Sequence, residues 1–294
     1  MKTRFGLSAA LTTPFDDGGE IVLPLMTEHA KRCLEAGCDS ITLFGTTGEG
    51  SSIGNRERAS TLEAFAHAGI APERLVVGVL VDAAHDAAEQ AAQALDAGVR
   101  NILLAPPSYF KNVADDGVFE WYSKVFALLG AKARDIILYN IPSVTMVGIS
   151  VELVGRLRNA FPTAVAGVKD SGGDWPYTER LLKEHGDLTI LIGDERHLAQ
   201  GTRLGGQGAI SGMANIFPRE IGAMAVDGRD DERVISLVEE LLTLPVTPAV
   251  KALVAQASGN QVWLNVRPPL VTIPSEGRER IARSFEKAFS PKAA

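Results

Sequence analysis

A short apolar run followed by a helix-like segment recurs along this chain, and this recurrence limits its possible folds most strongly. Each unit occupies about 25 to 35 residues, and eight units follow one another. The runs are apolar along their whole length, which is typical of strands covered on both faces. They are GLSAALTTP (6–14), SITLFG (40–45), RLVVGVL (74–80), NILLAP (101–106), DIILYN (135–140), TAVAGVK (163–169), LTILIG (188–193) and QGAISG (207–212).

The unit length suits parallel strands joined by right-handed helical crossovers. Eight such units in one chain predict an α/β fold of the (β/α)8 TIM barrel type. An open Rossmann-type sheet is the competing architecture. It is disfavoured because no GxGxxG motif follows the first run.

The domain organisation is predicted from the same pattern. No proline- or serine-rich linker divides the units, so residues 1–228 are expected to form one barrel domain. Beyond them the sequence contains helical segments without further strand-like runs. Residues 229–294 are therefore predicted to form a C-terminal helical appendage packed on the barrel.

The overall charge excludes some classes of partner. A formal charge of −7 and a pI near 5.4 argue against nucleic acid or an anionic membrane surface. The opening MKTRFGLSAALTTPF has no signal-peptide core, and no segment has the apolar length of a membrane span, which favours a cytoplasmic protein. Cys33 and Cys38 are interpreted as reduced thiols rather than a disulfide or metal site.

Two reactive side chains close neighbouring predicted strands. Tyr139 lies in the run 135–140, and Lys169 ends the run 163–169. Adjacent strands lie about 5 Å apart, so the phenol and the amine are expected to enter one pocket. A lysine at a strand end also commonly extends into solvent along its apolar stem. The pairing with Tyr139 favours a catalytic amine.

Such an amine has a defined chemical use. An apolar barrel interior disfavours an ammonium ion and favours the neutral amine that attacks a 2-keto acid. Loss of water gives a Schiff base, whose electron-withdrawing imine supports formation or cleavage of a carbon–carbon bond. A nearby tyrosine hydroxyl can relay the protons. This chemistry requires no metal and no cofactor.

The turn GTTGEG follows the second run and suits a carboxylate. Thr46 and Thr47 supply hydroxyl groups, and the Gly48 region supplies backbone N–H groups. The turn is also compatible with a simple strand-to-helix connection capped by a threonine.

Four ordered motifs, LTTPF, GTTGE, YNIP and GVKD, resemble the dihydrodipicolinate synthase/N-acetylneuraminate lyase family, and VRPPL (266–270) fits the helical tail of that family. The resemblance implies a (β/α)8 barrel, commonly a homotetramer, that acts on pyruvate or another 2-keto acid. It implies that Lys169 forms the Schiff base and that Tyr139 relays protons with Thr46. It also implies that Thr47 binds the keto-acid carboxylate. Tyr109 resembles a tyrosine that family members lend to a neighbouring subunit.

One position departs from the synthases of this family. They carry an arginine two residues after the proline of YNxP, where it binds the carboxylate of aspartate semialdehyde. Here that position is Val144. Valine cannot replace a bidentate guanidinium–carboxylate pair, and its loss would weaken binding by about 1.5–3 kcal/mol.

The lyases and sugar-acid aldolases of the family carry uncharged residues at the position of Val144. The segment GDE resembles the acidic pair with which neuraminate lyases bind sugar hydroxyls, and Ser143 and Ser171 could add neutral hydrogen bonds. The predicted substrate-binding residues are Thr47, Gly48, Val144, Gly193, Asp194, Glu195, Ile210 and Ser211.

These residues predict an aldolase or lyase that joins or cleaves a 2-keto-3-deoxy sugar acid, with pyruvate as the keto acid and an aldehyde as its partner. A dehydratase or deaminase acting on a keto-deoxy sugar acid or a hydroxyproline-derived substrate is the alternative within the family. Dihydrodipicolinate synthase is disfavoured by Val144. Outside this class, a non-catalytic keto-acid sensor would bind its ligand without turnover.

Overall fold

The computed structural model describes residues 4–289, and in them eight parallel strands form a closed barrel. Each strand pairs with the next, and β8 pairs back onto β1, so the predicted TIM barrel is confirmed. The strands are β1 Gly6–Ala10, β2 Ser40–Leu43, β3 Leu75–Val79, β4 Asn101–Leu104, β5 Ile136–Asn140, β6 Val165–Asp170, β7 Thr189–Ile192 and β8 Gly208–Ser211.

Helices follow the strands, and most of them cover the outside of the barrel. They are α1 Leu23–Glu35, α2 Asn55–His67, α3 Ala84–Asp96, α4 Asp115–Leu129, α5 Pro142–Thr145, α6 Val151–Ala160, α7 Trp175–His185, α8 Glu195–Arg203, α9 Pro218–Asp227, α10 Glu232–Leu241, α11 Val246–Ser258 and α12 Ser275–Phe289.

The apolar character of the strands is explained by two separate layers of packing. Side chains that point into the barrel form a small cluster, while those that point outward join the larger core beneath the helices. A fully buried aliphatic side chain contributes about 1.5–3 kcal/mol. Burial on both faces therefore supplies much of the stability. The inner cluster comprises Phe5, Ala10, Val76, Leu103, Ala105, Ile137, Tyr139, Ile141, Leu191 and Ile210.

The last three helices lie against the barrel and each other. Helix α10 contacts α8, and α12 contacts both α10 and α11. Phe217 of the barrel stacks on Phe289 of α12, with ring centroids 4.0 Å apart. The boundary at residue 228 stays a prediction, but these contacts join the C-terminal helices closely to the barrel.

No helix within residues 4–289 is long and apolar enough to cross a bilayer. Cys33 and Cys38 are buried and unbonded to each other, and burial raises the pKa of the Cys33 thiol to about 12. Burial also raises the pKa of Cys38.

Candidate active site

Tyr139 and Lys169 are register partners on β5 and β6, as their places in the sequence predict. Both side chains are buried, and the barrel interior presents them at its carboxyl-terminal end. Lys169 is 6% exposed, so its amine is sheltered from water although it lines a cavity. Active sites of TIM barrels lie at this end of the strands.

The Lys169 amine contacts the phenol of Tyr139 in two ways. Its Nζ donates a hydrogen bond to the Tyr139 Oη over 3.1 Å and lies 4.1 Å from the centroid of the ring. The Thr46 Oγ1 lies 3.1 Å from the same Oη. Because the lysine donates to the phenol oxygen, the phenol proton is free to be shared with Thr46. A continuous path for a proton therefore links the three side chains.

The residues that follow Tyr139 and Lys169 hold the two strand ends together. Asn140 Nδ2 donates to Asp170 Oδ1 over 2.9 Å, and Thr178 Oγ1 donates to Asp170 Oδ2 over 2.6 Å. Alternation along a strand points Asn140 and Asp170 away from the barrel interior. This outer hydrogen-bonded pair fixes the spacing of the inner reactive pair.

The turn after β2 brings Thr46 and Thr47 to the cavity. Phe44 adopts a left-handed φ of +58°, which ends the strand two residues before the predicted limit. Helix α2 begins only at Asn55, after a short 3-10 turn, so its amino end does not directly follow Thr47.

A cavity of about 170 Å³ opens beside these groups. One side carries hydroxyl, amine and carboxylate groups, while the other side is apolar and comes largely from α10 and α11. The cavity is lined by Ala10, Thr46, Thr47, Tyr139, Ile141, Ser143, Val144, Lys169, Ser171, Gly193, Asp194, Glu195, Ile210, Gly212, Met213, Val238, Leu241, Leu242, Val246, Thr247 and Val250.

The acidic residues that follow β7 have different environments. Asp194 caps α8, accepting from the backbone N–H of Arg196 over 3.0 Å, and also pairs with the Arg196 guanidinium over 2.6 Å. Glu195 is buried and accepts a 2.6 Å hydrogen bond from Ser211 Oγ. Burial raises the pKa of the Glu195 carboxyl, against the opposing effect of Ser211. Glu195 is therefore the acidic group better suited to act in proton transfer.

Gly193 leaves the space that the lysine side chain needs. A Cβ at this position would lie 2.1 Å from Ser171 Oγ and 3.2 Å from Lys169 Cε. The same Cβ would lie 2.9 Å from the carbonyl oxygen of Asp170, so a side chain here would require both Ser171 and the backbone to shift. A glycine after β7 thus permits Lys169 and Ser171 to share the cavity wall.

Three of the proposed site residues do not line this cavity in the described part of the chain. Gly48 lies behind the turn, where Thr13 Oγ1 donates to its carbonyl over 2.8 Å. Ser211 lies behind Glu195. Tyr109 is 76% exposed and packs against Phe110, with ring centroids 5.3 Å apart. The remaining proposed residues all meet at the cavity.

The apolar wall from α10 and α11 was not anticipated from the sequence. These helices give Val238, Leu241, Val246, Thr247 and Val250 to the cavity. Their amphipathic pattern predicts helices with a buried face but does not say what covers it. The alternation of strands and helices in the sequence therefore predicts where the reactive groups lie. It does not predict that α10 and α11 form the apolar wall of the cavity.

The charge of the lining is informative about substrates. Lys169 is the sole lysine or arginine among the lining residues of this cavity within residues 4–289. Val144, at the rim, is 57% exposed and offers no charge. Within residues 4–289, the cavity lining thus offers one basic side chain, and that side chain is the proposed nucleophile.

Comparison with known proteins gives a family for this chain. A model of the dihydrodipicolinate synthetase family matches residues 4–288. An uncharacterized DapA-like lyase of Chloroflexus aurantiacus is 29% identical over 294 residues, with 97% of each chain covered. A 4-hydroxy-tetrahydrodipicolinate synthase of Methanopyrus kandleri is 31% identical over 297 residues, which cover 96% of this chain and 95% of the relative.

Solved structures show the same architecture. A crystal structure of dihydrodipicolinate synthase from Agrobacterium tumefaciens is 64% identical with a TM-score of 0.96, covering 97% of this chain and 100% of the other. A variant of 2-keto-3-deoxygluconate aldolase from Sulfolobus solfataricus has a TM-score of 0.82 at 18% identity, with 96% and 95% of the chains covered, and shares the fold alone. Because the family match spans almost the whole chain, this protein belongs to the dihydrodipicolinate synthetase family.

Proposed function

We propose that this protein is a class I aldolase that reversibly cleaves a 2-keto-3-deoxy sugar acid to pyruvate and an aldehyde. The observation that carries the proposal is the buried Lys169 amine, 3.1 Å from Tyr139 Oη, in a cavity whose lining among the described residues contains no second lysine or arginine. A primary amine in this setting is an imine-forming nucleophile.

The proposed cleavage begins when the Lys169 nitrogen attacks the C2 carbonyl carbon of the substrate. Water leaves, and a protonated imine forms. The C4 hydroxyl then loses its proton, the C3–C4 bond breaks, and its electron pair moves into the enamine as the aldehyde departs. Protonation of C3 and hydrolysis of the imine release pyruvate and regenerate the amine.

Tyr139 is the proposed proton carrier in these steps. Its hydroxyl contacts both the lysine nitrogen and Thr46 Oγ1 at 3.1 Å, so it can exchange protons with the forming imine and with the Thr46 hydroxyl. A positioned acid/base contributes about 10²–10⁴-fold to a rate. Thr47, also at the cavity, is the proposed partner of the substrate carboxylate.

Val144 and the single cation support a neutral aldehyde over an anionic one. An anionic partner such as aspartate semialdehyde would bring a second carboxylate to a cavity whose remaining charges are acidic. Several curated relatives are named 4-hydroxy-tetrahydrodipicolinate synthase. We propose a different activity for this chain because Val144 stands where the family resemblance implies an arginine in the synthases.

The environment of Glu195 favours a second candidate within the family, a dehydratase of a keto-deoxy sugar acid. Elimination requires a group that protonates the departing hydroxyl. The raised pKa of Glu195 suits that role, and Ser211 holds its carboxyl at 2.6 Å. Both candidates share the imine on Lys169 and differ in the bond that breaks.

We also propose that the active protein is a homo-oligomer in the cytoplasm. The exposed Tyr109 and Phe110 supply an aromatic surface beyond the cavity of their own chain. Adjacent exposed aromatic side chains are common at protein interfaces, where aromatic residues are enriched. Gel filtration with light scattering tests the assembly, and a monomer would contradict it.

A substrate screen tests the proposed reaction. Purified protein is incubated with a panel of 2-keto-3-deoxy sugar acids, and released pyruvate is measured with lactate dehydrogenase. The proposal predicts pyruvate from at least one sugar acid and none with Lys169→Ala. A product that retains the whole carbon skeleton would favour the dehydratase. Efficient condensation of pyruvate with aspartate semialdehyde would contradict the argument from Val144. Saturable binding without turnover, unchanged in Lys169→Ala, would indicate a sensor.

A further inference from the structure

A completely buried ion pair lies beneath the turn that carries Thr46 and Thr47. Lys251 Nζ of α11 contacts Glu49 Oε1 over 2.6 Å, and both side chains are 0% exposed. The ammonium group also lies 4.6 Å from the centroid of the Phe15 ring. Burying two charges carries a large desolvation penalty, so such a pair is not explained by stability alone.

Each member of this pair makes one further hydrogen bond. Glu49 Oε2 accepts from the backbone N–H of Arg267 over 2.8 Å. Lys251 Nζ donates to the carbonyl of Thr13 over 2.8 Å. The pair therefore joins three segments that are distant in sequence: the turn after β2, the chain after β1, and the C-terminal region.

The same segments hold the turn itself. Thr247, one helical turn before Lys251 on α11, donates through Oγ1 to the carbonyl of Thr46 over 3.1 Å. Thr13 donates through Oγ1 to the carbonyl of Gly48 over 2.8 Å. The two carbonyls that flank Thr47 are thus fixed from outside the turn, and Glu49 anchors its far end.

The backbone of Glu49 explains why an anchor is needed. Its φ of +57° lies in the left-handed region, which residues other than glycine adopt at some energetic cost. Such a conformation persists when the surroundings hold it. The bonds from Lys251 and Arg267 to the Glu49 carboxylate provide that hold.

We propose that the Glu49–Lys251 ion pair is a positioning device that makes α11 part of the keto-acid site, by setting Thr46 against Tyr139 and Thr47 toward the cavity. Neither residue touches substrate in this account, so both are positioning residues. The functional part of the inference rests on the proposed imine chemistry. The structural part rests on the contacts alone.

Glu49→Asp is the informative variant, because it keeps the charge and shortens the side chain by one methylene. The turn must then move, or the bond to Lys251 must lengthen. Glu57→Asp is the matched control. It shortens another carboxylate that pairs with Arg267, at a partly exposed site away from the turn. Glu49→Gln and Lys251→Met test removal of either charge.

The readout is trapping of pyruvate on Lys169 by borohydride, measured over a range of pyruvate concentrations with thermal melting alongside. Glu49→Asp is expected to raise the half-saturating pyruvate concentration by about tenfold or more, equivalent to about 1.4 kcal/mol. The rate at saturation is expected to decrease as well, because displacement of Thr46 interrupts the proposed proton relay through Tyr139. Glu57→Asp is expected to match the wild type. Unchanged half-saturation in Glu49→Asp, with wild-type trapping intact, would overturn the inference but leave the proposed function standing.

A crystal structure of Glu49→Asp decides the structural claim without reference to activity. The inference predicts that Thr46 Oγ1 moves away from Tyr139 Oη and exceeds hydrogen-bond distance. A retained separation of 3.1 Å would overturn it, whether or not the wild type traps pyruvate. If Glu49→Gln or Lys251→Met does not fold, Glu49→Asp still gives both measurements.

Discussion

Tyr139 and Lys169 face each other across neighbouring parallel strands, and the lysine donates a 3.1 Å hydrogen bond to the phenol oxygen. Each is followed by a residue of an outer pair, in which Asn140 donates to Asp170. Because side chains alternate along a strand, Tyr139 and Lys169 point into the barrel. The pair that follows them points outward, toward the helices. The spacing of the reactive groups is a property of the barrel rather than of a mobile loop.

Tyr139→Phe tests the proton relay. The substitution keeps the ring beneath the Lys169 amine and removes the hydroxyl that contacts Thr46. We expect kcat/KM for pyruvate release to fall by about 10²–10⁴-fold. The free energy of unfolding should decrease by about 1 kcal/mol, since the aromatic packing remains and only the hydrogen bonds of the hydroxyl are lost.

Tyr122→Phe is the control for that variant. Its hydroxyl is also buried and donates to the carbonyl of Leu104 over 3.0 Å, but it lies outside the barrel interior. Loss of this bond costs stability of about 1 kcal/mol and should leave the rate unchanged. Equal effects of the two variants on the rate would contradict the relay.

Val144→Arg tests the argument about substrate charge. The side chain lies exposed at the cavity rim, so an arginine can be accommodated there. A guanidinium–carboxylate pair worth about 1.5–3 kcal/mol should lower the KM for aspartate semialdehyde by about ten- to a hundredfold. Val144→Met, which adds bulk without charge, is the control. If the KM for aspartate semialdehyde is no lower in Val144→Arg than in Val144→Met, the proposed effect of charge at position 144 is wrong.

Glu195→Gln tests the buried carboxyl beside Ser211. The pKa of Glu195 is raised by burial, so its ionisation opposes folding as the pH rises above the ordinary range of a glutamate. The glutamine variant should therefore unfold at higher urea concentration than the wild type at pH 7. This difference in stability should disappear near pH 4, where both side chains are neutral. A difference that does not vary with pH would contradict the raised pKa of Glu195.

The same variant separates binding from chemistry. Because Glu195 does not contact Lys169 by a hydrogen bond, pyruvate trapping should persist in Glu195→Gln. Dehydration of the sugar acid should decrease, since a neutral amide cannot protonate the departing hydroxyl. An undiminished rate of dehydration would remove Glu195 from the proposed dehydratase mechanism.

His29 is expected to make the folding equilibrium sensitive to acid. Its Nδ1 accepts from Arg32 Nη2 over 2.6 Å, and its Nε2 lies 3.0 Å from Asn215 Oδ1. Burial, followed by the charge of Arg32, lowers the pKa of His29 from 6.5 to about 4. The neutral ring is therefore the form that the fold accepts.

A histidine of depressed pKa stabilises the fold above pH 6.5, and this contribution is lost as the pH falls toward 4. The free energy of unfolding is expected to decrease by about 3 kcal/mol as a result. The free energy of unfolding from urea titrations should therefore decrease more between pH 7 and pH 4 in the wild type than in His29→Gln. Measurements at pH 8 give the baseline difference between the two proteins. If the free energy of unfolding changes with pH by the same amount in both proteins, the lowered pKa of His29 is wrong.

The barrel and the reactive pair could be predicted because their signals are local. Eight apolar runs mark eight strands, and Lys169 and Tyr139 stand at the ends of two of them. Strand limits were less accurate. The run 40–45 continues two residues past the end of β2 at Leu43, where Phe44 turns into the left-handed region to begin the loop.

The upper part of the site could not be predicted because its contacts are distant in sequence. Glu49 and Lys251 are 202 positions apart, and Thr46 and Thr247 are 201 positions apart. A single sequence shows that α11 is apolar but not which turn it supports. The sequence shows Glu49 as part of the GTTGEG motif, but it does not show that Lys251 is its buried partner.

Trapping of a pyruvate imine on Lys169 tests the central claim most directly. The protein is incubated with pyruvate and borohydride, digested, and analysed by mass spectrometry. The predicted result is one reduced pyruvate attached to Lys169 in the wild type and no attachment in Lys169→Ala. An unmodified wild-type protein, or a modification that persists at another lysine in the variant, would contradict the proposed chemistry.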